Sequence, residues 1–134
     1  MTFRPNPVLL RVIFGIGIDI IEVQRIRKAY KKLGKRFLDG IYTEREQSFC
    51  LGRANFAEGL AARWAAKEAF LKALGTGHSR GVRWRDVEII DNERSRPTIK
   101  VSGKPAALLG NRKVHLSISH LEDIATAIVV IERE

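Results

Sequence analysis

The sequence predicts an α+β fold with a mainly antiparallel sheet and one long buried helix. Apolar residues recur at helical spacing through much of the first half, most clearly in the run FAEGLAARWAAKEAFLKAL at 56–74. Short runs with strand-like patterning dominate the second half. One strand and several helices followed by a series of strands are typical of α+β domains.

The length and composition predict one globular domain. The chain has 134 residues, of which 45% are apolar and 29% charged, so a disordered or collagen-like chain is excluded. We expect a single domain over residues 12–134, preceded by a flexible N-terminal arm over residues 1–11 that contains Pro5 and Pro7. The single cysteine, Cys50, excludes an internal disulfide framework and a Cys-x-x-Cys zinc site.

The charge balance predicts an acidic partner. The formal net charge is +9, which suits nucleic acid, a phosphate-rich small molecule, an anionic membrane or an acidic protein. No apolar run reaches the ~20 residues of a membrane span, and the best, Val12–Val23, is interrupted by Asp19 and Glu22. No small-residue cleavage site follows the first residues, so we expect a cytoplasmic protein with no membrane partner.

The first predicted element is a strand over Val12–Ile18, VIFGIGI, which is apolar on both faces and therefore predicted to be buried. Gly15 and Gly17 lie on one face of this strand, which predicts close approach of another backbone or of a ligand. Asp19 and Glu22 then match a capping box, with Asp in place of Ser or Thr, and predict that a helix begins there.

The predicted first helix has one strongly basic face and ends at Gly34. No acidic residue occurs between Val23 and Arg36. Such a face is either a solvated surface or a docking surface for an acidic partner. Its basic residues are Arg25, Arg27, Lys28, Lys31 and Lys32.

The remaining elements follow from capping and strand signals. Thr43 and Glu46 form a capping box that begins a short helix over Thr43–Arg53. The second half then changes to strand-like patterning. The expected strands are Val87–Ile90, Thr98–Val101, Val114–Ser119 and Ala125–Ile131, with a short helical turn over Pro105–Leu109.

The predicted helix Phe56–Leu74 carries charges where a buried helix should have none. Alanines cover much of the surface beside its apolar stripe, so little of it need face water, yet Arg63 and Lys67 project within or beside the stripe. Glu68 and Lys72 lie next to the stripe as an i,i+4 pair. Either this pair is a surface ion pair with Lys67 extending to solvent, or a carboxylate flanked by ammonium groups marks a site for a metal and an anion.

Two carboxylates are candidates for a metal site. Asp19 follows the first strand and Glu68 lies in the long helix. Because the sequence has no His or Cys cluster, a hard cation such as Mg²⁺ suits them better than zinc. The alternative is that Asp19 only caps a helix. His120, which closes a predicted strand, is a further candidate, whereas His78 is assigned no role.

Three motifs, in order and spacing, resemble the holo-acyl-carrier-protein synthases, the short-chain 4'-phosphopantetheinyl transferases. They are IFGIGIDIIEVQRI at 13–26, LAARWAAKEAFLKALGTG at 60–77 and HLSISH at 115–120. The resemblance implies a 4'-phosphopantetheinyl transferase-like fold and a reaction in which 4'-phosphopantetheine passes from coenzyme A to a serine of apo-acyl carrier protein, releasing adenosine 3',5'-bisphosphate. It further implies Mg²⁺ dependence and a homotrimer with active sites between its subunits.

The resemblance also implies residue roles. Asp19 of GIGIDI and Glu68 of AAKEA match the metal ligands, and Lys72 matches the lysine beside the diphosphate. The other cofactor-side positions are Arg63, Lys67, Gly75 and His120. The acidic carrier protein would meet the basic helix at Arg25, Arg27, Lys28 and Lys32. Physically, Mg²⁺ and Lys72 would stabilise charge that develops during transfer, and Glu68, directly or through a metal-bound water, is the candidate base for the serine hydroxyl.

A second hypothesis is a basic nucleic-acid-binding module. The +9 charge and the basic helix suit it. However, that helix lacks a helix-turn-helix partner, the strands carry no RNP-like aromatic motif, and aromatic residues are only 7% of the chain. We therefore expect no nucleic-acid partner. Binding to generic DNA with a steep salt dependence, without binding of coenzyme A, would favour the second hypothesis.

Overall fold

The computed structural model describes residues 12–92 and 95–134, so the N-terminal arm predicted over residues 1–11 lies outside the described residues. No helix in the described part of the chain is both long and apolar enough to cross a membrane. The elements in chain order are β1 (Ile13–Glu22), α1 (Val23–Leu33), α2 (Lys35–Ile41), α3 (Glu44–Leu51), α4 (Phe56–Leu74), a 3₁₀ turn (Trp84–Asp86), β2 (Val87–Asn92), β3 (Ser95–Val101), α5 (Gly103–Leu109), β4 (Val114–His120) and β5 (Ile124–Glu132).

The described strands form two antiparallel sheets. β1, β5 and β4 lie in that order in a three-stranded sheet, and β2 pairs with β3 in a separate hairpin. The α+β class and the antiparallel pairing that the sequence predicts are confirmed. The strands divide between two sheets, a feature that single-strand patterns do not reveal because it depends on which strands pair.

Helix α4 packs on the three-stranded sheet and forms the centre of the core. Thirteen of its nineteen residues are buried, as the alanine-rich sequence predicts. The helix approaches β1 closely because β1 has glycine where the two elements meet. A Cβ atom at Gly17 would overlap the carbonyl oxygen of Ala69, and one at Gly15 would overlap that of Ala73. The close approach predicted at the two glycines is therefore an approach of backbone.

The first strand extends past Asp19 to Glu22, so the capping box predicted for residues 19–22 is wrong. Asp19 pairs with Ala127 of β5, and α1 begins only at Val23, where Glu22 makes no side-chain cap. The hydrogen-bonded ladder with β5 satisfies the backbone groups of these residues. A local helix-start signal is thus overridden by long-range strand pairing.

One face of β1 is exposed, contrary to the prediction of a strand buried on both faces. Ile16, Ile18 and Ile20 are 60%, 62% and 66% exposed, and Ile128, which pairs with Ile18, is 40% exposed. We call the surface formed by these four isoleucines the outer face. Because alternate residues of a strand point to opposite sides, Asp19 points away from the outer face, toward α4.

Two short helices connect α1 to α4. Helix α3 begins as predicted, because Thr43 Oγ1 accepts from the Glu46 N–H and the Glu46 carboxylate accepts from the Thr43 N–H. Helix α2 is not predicted from the sequence. It follows Gly34, whose φ of 57° is a conformation that favours glycine. With seven residues, α2 is too short for its periodicity to give a clear signal.

Candidate active site

Strand β1 and helix α4 bring Asp19 and Lys72 into contact. Lys72 Nζ lies 3.0 Å from Asp19 Oδ1 and donates to the carbonyl oxygen of Ile18, also at 3.0 Å. The side chain of Asp19 is only 15% exposed, whereas that of Lys72 is half exposed. The backbone oxygen of Asp19 accepts from Thr126 Oγ1 at 2.8 Å, which fixes the strand at this position. The lysine is therefore held by two acceptors of one strand while part of it faces solvent.

Glu68 lies one helical turn before Lys72, but its partner is His78. His78 Nε2 is 2.7 Å from Glu68 Oε1, and the Glu68 side chain is 20% exposed. The helix ion pair between Glu68 and Lys72 that the i,i+4 spacing suggests is not formed among the described residues, because Asp19 and Ile18 provide the acceptors for Lys72. Sequence reasoning gives His78 no role, since nothing in the local spacing indicates that the loop after α4 returns to Glu68.

The carboxylates of Asp19 and Glu68 are suited to Mg²⁺ by their chemistry, and they flank Lys72, which contacts Asp19 and follows Glu68 by one helical turn. Both side chains are largely shielded but reach solvent, and both offer the hard oxygen ligands that this cation prefers. Within residues 12–92 and 95–134, no group of three or more His, Cys, Asp or Glu side chains is arranged to hold a metal ion. A metal here would therefore depend on the two acids, on water and on substrate oxygens, as Mg²⁺ commonly does.

Lys67 lies in an internal network. It is fully buried, and its ammonium donates to Glu46 Oε1 at 2.7 Å and to the backbone oxygens of Ile41 at 2.8 Å and Trp84 at 3.2 Å. Glu46 Oε2 also accepts from the Ile89 N–H at 3.0 Å. Burial lowers the pKa of Lys67, although the Glu46 carboxylate opposes this shift. Since all three ammonium donors are used inside the protein, the geometry favours a structural role over the cofactor contact predicted for Lys67.

Arg63 and His120 meet at a cleft of about 340 Å³. The Arg63 side chain is buried and donates to Gly59 O at 3.3 Å and to Asp91 Oδ2 at 3.5 Å. Its Nε atom is buried without a hydrogen-bond partner among the described residues. Arg53 adds a second guanidinium to the wall of the cleft. Cationic groups with unused donors suit an anionic ligand, so the structure brings two predicted cofactor-side residues together in a suitable setting.

Gly75 ends α4 three residues after Lys72. Its φ of 89° is left-handed, and its N–H bonds to Leu71 O at 3.0 Å, which is typical of a helix C-cap. The predicted approach of Gly75 to a cofactor stays a prediction. Asp19, Glu68 and Lys72 do not line the cleft of Arg63 and His120. The described chain thus carries an acid–lysine site, formed by Asp19, Glu68 and Lys72, and a separate cationic cleft.

The basic face of α1 is exposed. The helix follows β1 directly, so this face begins within a few residues of Asp19. The helix itself, VQRIRKAYKKL, contains no acidic residue to neutralise it. The exposed basic residues are Arg25, Arg27, Lys28, Lys31 and Lys32.

The fold and the site define a class of protein: an α+β protein whose two carboxylates and lysine suit chemistry at a phosphate group. The family model of the 4'-phosphopantetheinyl transferase superfamily matches residues 15–129. The chain belongs to this superfamily.

Three proteins to which this chain is similar bear the name holo-(acyl-carrier-protein) synthase. The holo-[acyl-carrier-protein] synthase of Koribacter versatilis is 48% identical over 124 residues, which are 90% of this chain and 99% of the relative. The crystal structure of a Bacillus anthracis holo-(acyl-carrier-protein) synthase in complex with CoA (3',5'-ADP) is 40% identical, covers 92% of this chain and 99% of that chain, and has a TM-score of 0.77. The Helicobacter pylori enzyme in complex with coenzyme A is 30% identical over 87% and 98% of the two chains, with a TM-score of 0.76. The family resemblance carried by the three motifs is confirmed.

Proposed function

We propose that the chain acts as a holo-[acyl-carrier-protein] synthase: it transfers 4'-phosphopantetheine from coenzyme A to a serine of apo-acyl carrier protein and releases adenosine 3',5'-bisphosphate. One observation carries the proposal: Lys72 bonds to Asp19 one helical turn from Glu68. These three residues occupy the motifs through which the chain resembles its family. The relatives that bear the name of this activity match over nearly their whole length.

The reaction substitutes one oxygen for another at phosphorus. The serine oxygen forms a bond to the phosphorus that bears pantetheine, the bridging P–O bond of the diphosphate breaks, and the serine proton passes to a base. Negative charge therefore grows on the leaving bisphosphate. The Lys72 ammonium, held by Asp19 and by the carbonyl of Ile18, is suited to stabilise that charge because it needs no reorganisation during the reaction.

Asp19 and Glu68 are the residues that would hold Mg²⁺. When bound, the ion would neutralise charge on the diphosphate oxygens. We also assign to Glu68 the acceptance of the serine proton, since it is the carboxylate nearest along the helix to Lys72 and is partly open to solvent. Asp19 has a second role, which is to orient Lys72.

Coenzyme A has a second set of contacts in this proposal. Arg63 and His120 bind its phosphate groups at the cationic cleft, to which Arg53 adds a second guanidinium. Gly75 lets the backbone after α4 approach the cofactor, as the family resemblance implies. Lys67 supports α4 from inside, through its pair with Glu46.

The acidic carrier protein docks on the basic face of α1. The positive charges along this face attract an acidic helix over several ångströms and orient it before contact. Because α1 starts four residues after Asp19, a carrier bound there presents its serine near the acid–lysine site. The residues that we assign to this contact are Arg25, Arg27, Lys28 and Lys32.

We propose that the outer face is covered by further copies of the chain in a homotrimer. Four isoleucines exposed together on one sheet form an apolar patch of the kind that often marks an interaction site. Ile18 and Ile20 flank Asp19 on β1, which is an edge strand among the described strands, so a subunit packed on the outer face would reach the acid–lysine site, on the other side of β1, around that edge and could bring its own cationic cleft to it. Light scattering should report a trimer, and Ile18→Lys should give smaller species that lose activity. A wild-type monomer with full activity would contradict this assembly.

We place the activity in one domain, residues 12–134, and in the cytoplasm. One hydrophobic core contains residues from β1 to β5, which supports a single domain. Cys50 is a buried free thiol, which is compatible with a reducing compartment.

The test of the proposed function is a transfer assay. The full chain is incubated with coenzyme A, Mg²⁺ and apo-acyl carrier protein, and intact-mass spectrometry follows the carrier. We expect the carrier to gain one phosphopantetheine, and we expect excess chelator to stop the reaction. No transfer to several bacterial carriers, together with salt-sensitive binding to generic DNA, would contradict the proposal and favour the nucleic-acid-binding alternative.

A further inference from the structure

The loop after α4 turns back so that His78 contacts the Glu68 carboxylate. The histidine follows the end of α4 by four residues, and its Nε2 atom lies 2.7 Å from Glu68 Oε1, ten residues earlier in the chain. An ionised carboxylate can only accept hydrogen bonds, so Nε2 carries the proton in this contact. The contact occupies Oε1 of Glu68 and leaves Oε2 for another group.

Two tryptophans hold the imidazole ring in place. The rings of His78 and Trp84 lie 4.5 Å apart with a tilt of 36°. Trp84 in turn lies 4.5 Å from Trp64, with a tilt of 35°. Trp64 precedes Glu68 by one turn on α4, so the loop is attached to the helix at two points, through Trp64 and through Glu68. Packed aromatic pairs restrict ring orientation, which fixes the direction of the imidazole N–H.

Glu68 needs such a support because its expected helix partner is engaged elsewhere. Lys72 bonds to Asp19 and to the carbonyl of Ile18. A glutamate has three side-chain torsions, and a partly exposed one without a fixed partner samples several rotamers. Both metal binding and proton transfer require its carboxylate at one position.

We propose that His78 is a positioning residue, which holds the Glu68 carboxylate in its working orientation through Nε2–H and is itself held by the Trp84 ring. This inference rests on the proposed function, since Glu68 matters only if it acts on a cation or a proton. It is independent of the family motifs, because the contact comes from a loop residue that those motifs leave unassigned. A residue that only anchored the loop would affect stability and leave cation affinity unchanged.

The test compares His78→Ala with His78→Gln. Glutamine offers an amide N–H near the position of Nε2, whereas alanine offers none. The matched control is Arg80→Ala, an exposed residue of the same loop. Two quantities are measured on the full chain: kcat and KM for transfer to the carrier, and the affinity for Mn²⁺ by electron paramagnetic resonance without coenzyme A.

His78→Ala should lower kcat and weaken Mn²⁺ binding by about 10- to 100-fold each, the usual effect of removing a hydrogen bond to a metal ligand, with little change in KM for the carrier. His78→Gln should recover most of both losses, and Arg80→Ala should match wild type. Wild-type kcat and Mn²⁺ affinity in His78→Ala, or equal losses in the alanine and glutamine variants, would overturn the inference. If the wild-type chain transferred no phosphopantetheine, the proposed function would fail, and the Mn²⁺ comparison would still decide the role of His78.

Discussion

Lys72 Nζ and Asp19 Oδ1 lie 3.0 Å apart, although 53 residues separate them in the chain. The contact depends on how closely α4 approaches β1. That approach depends on Gly15 and Gly17, because their missing side chains let the helix backbone lie against the strand. The acid–lysine site is therefore a consequence of backbone packing two residues away from Asp19.

Gly17→Ala should damage both fold and site. The added Cβ would overlap the backbone of Ala69, which cannot move without displacing α4. Overpacking of this kind costs about 1–3 kcal/mol or more, so we expect a clear fall in the urea midpoint. The matched control is Gly40→Ala in helix α2, where an added Cβ meets nothing within 4 Å and alanine should stabilise by up to about 1 kcal/mol. Equal stability of the two variants would show that the fold does not need the close approach of α4 to β1 at Gly17.

Lys67→Met should destabilise the protein by about 3–5 kcal/mol, because it leaves the carboxylate of Glu46 buried without its cation. Urea unfolding followed by circular dichroism measures the change. Adding Glu46→Gln to this variant removes the unpaired charge and should recover part of the loss. If the free energy of unfolding of Lys67→Met alone lay within about 1 kcal/mol of the wild-type value, Glu46 would have found another partner. The pair would then not support α4.

Cys50 should be unreactive in the native protein at neutral pH. Burial raises the pKa of its thiol from 9.0 to about 11, which lowers the thiolate fraction at pH 8 about a hundredfold. Because the folded pKa is the higher one, the contribution of Cys50 to stability is present below about pH 9 and is lost as pH rises through about 11. The chain has one cysteine, so labelling with a thiol reagent reports this site alone. Native labelling as fast as labelling in urea would contradict its burial.

Arg25→Glu should raise the KM for the carrier protein and leave the affinity for coenzyme A nearly unchanged. Exposed charges act mainly on encounter, and a surface pair is worth about 0.2–1 kcal/mol, so we expect an increase of up to about fivefold that shrinks with salt. Lys104→Glu, an equal charge reversal on α5, serves as the control. Equal loss of affinity for both substrates would show that Arg25 has a role other than docking.

Local patterns account for much of the fold. The helix Phe56–Leu74 has the predicted bounds, because its periodicity is long and Gly75 gives a clear end signal. The capping box of Thr43 also forms. The capping box predicted at Asp19 does not, since pairing with Ala127 of β5 determines the conformation there. Signals within a few residues predict structure well until a distant strand competes with them.

The sequence predicts which residues form the candidate site better than it predicts the contacts that these residues make. The burial of Arg63 and Lys67 follows from the helix pattern, and both are buried. The partners do not follow: Lys72 bonds to β1 instead of Glu68, and Lys67 bonds to Glu46, which the sequence marks only as a capping residue. Such pairs join residues 21 to 53 positions apart, so only the packing of elements determines them.

The rate at which the Asp19→Asn and Glu68→Gln variants convert apo-carrier to holo-carrier shows whether the two carboxylates act together in the transfer reaction. Intact-mass spectrometry measures the product, circular dichroism verifies the fold, and Glu44→Gln on the exposed surface of α3 is the control. We expect a loss of at least about a hundredfold in kcat for each of the two site variants, with thermal stability retained and the control unchanged. Wild-type turnover in either folded site variant would contradict this joint role.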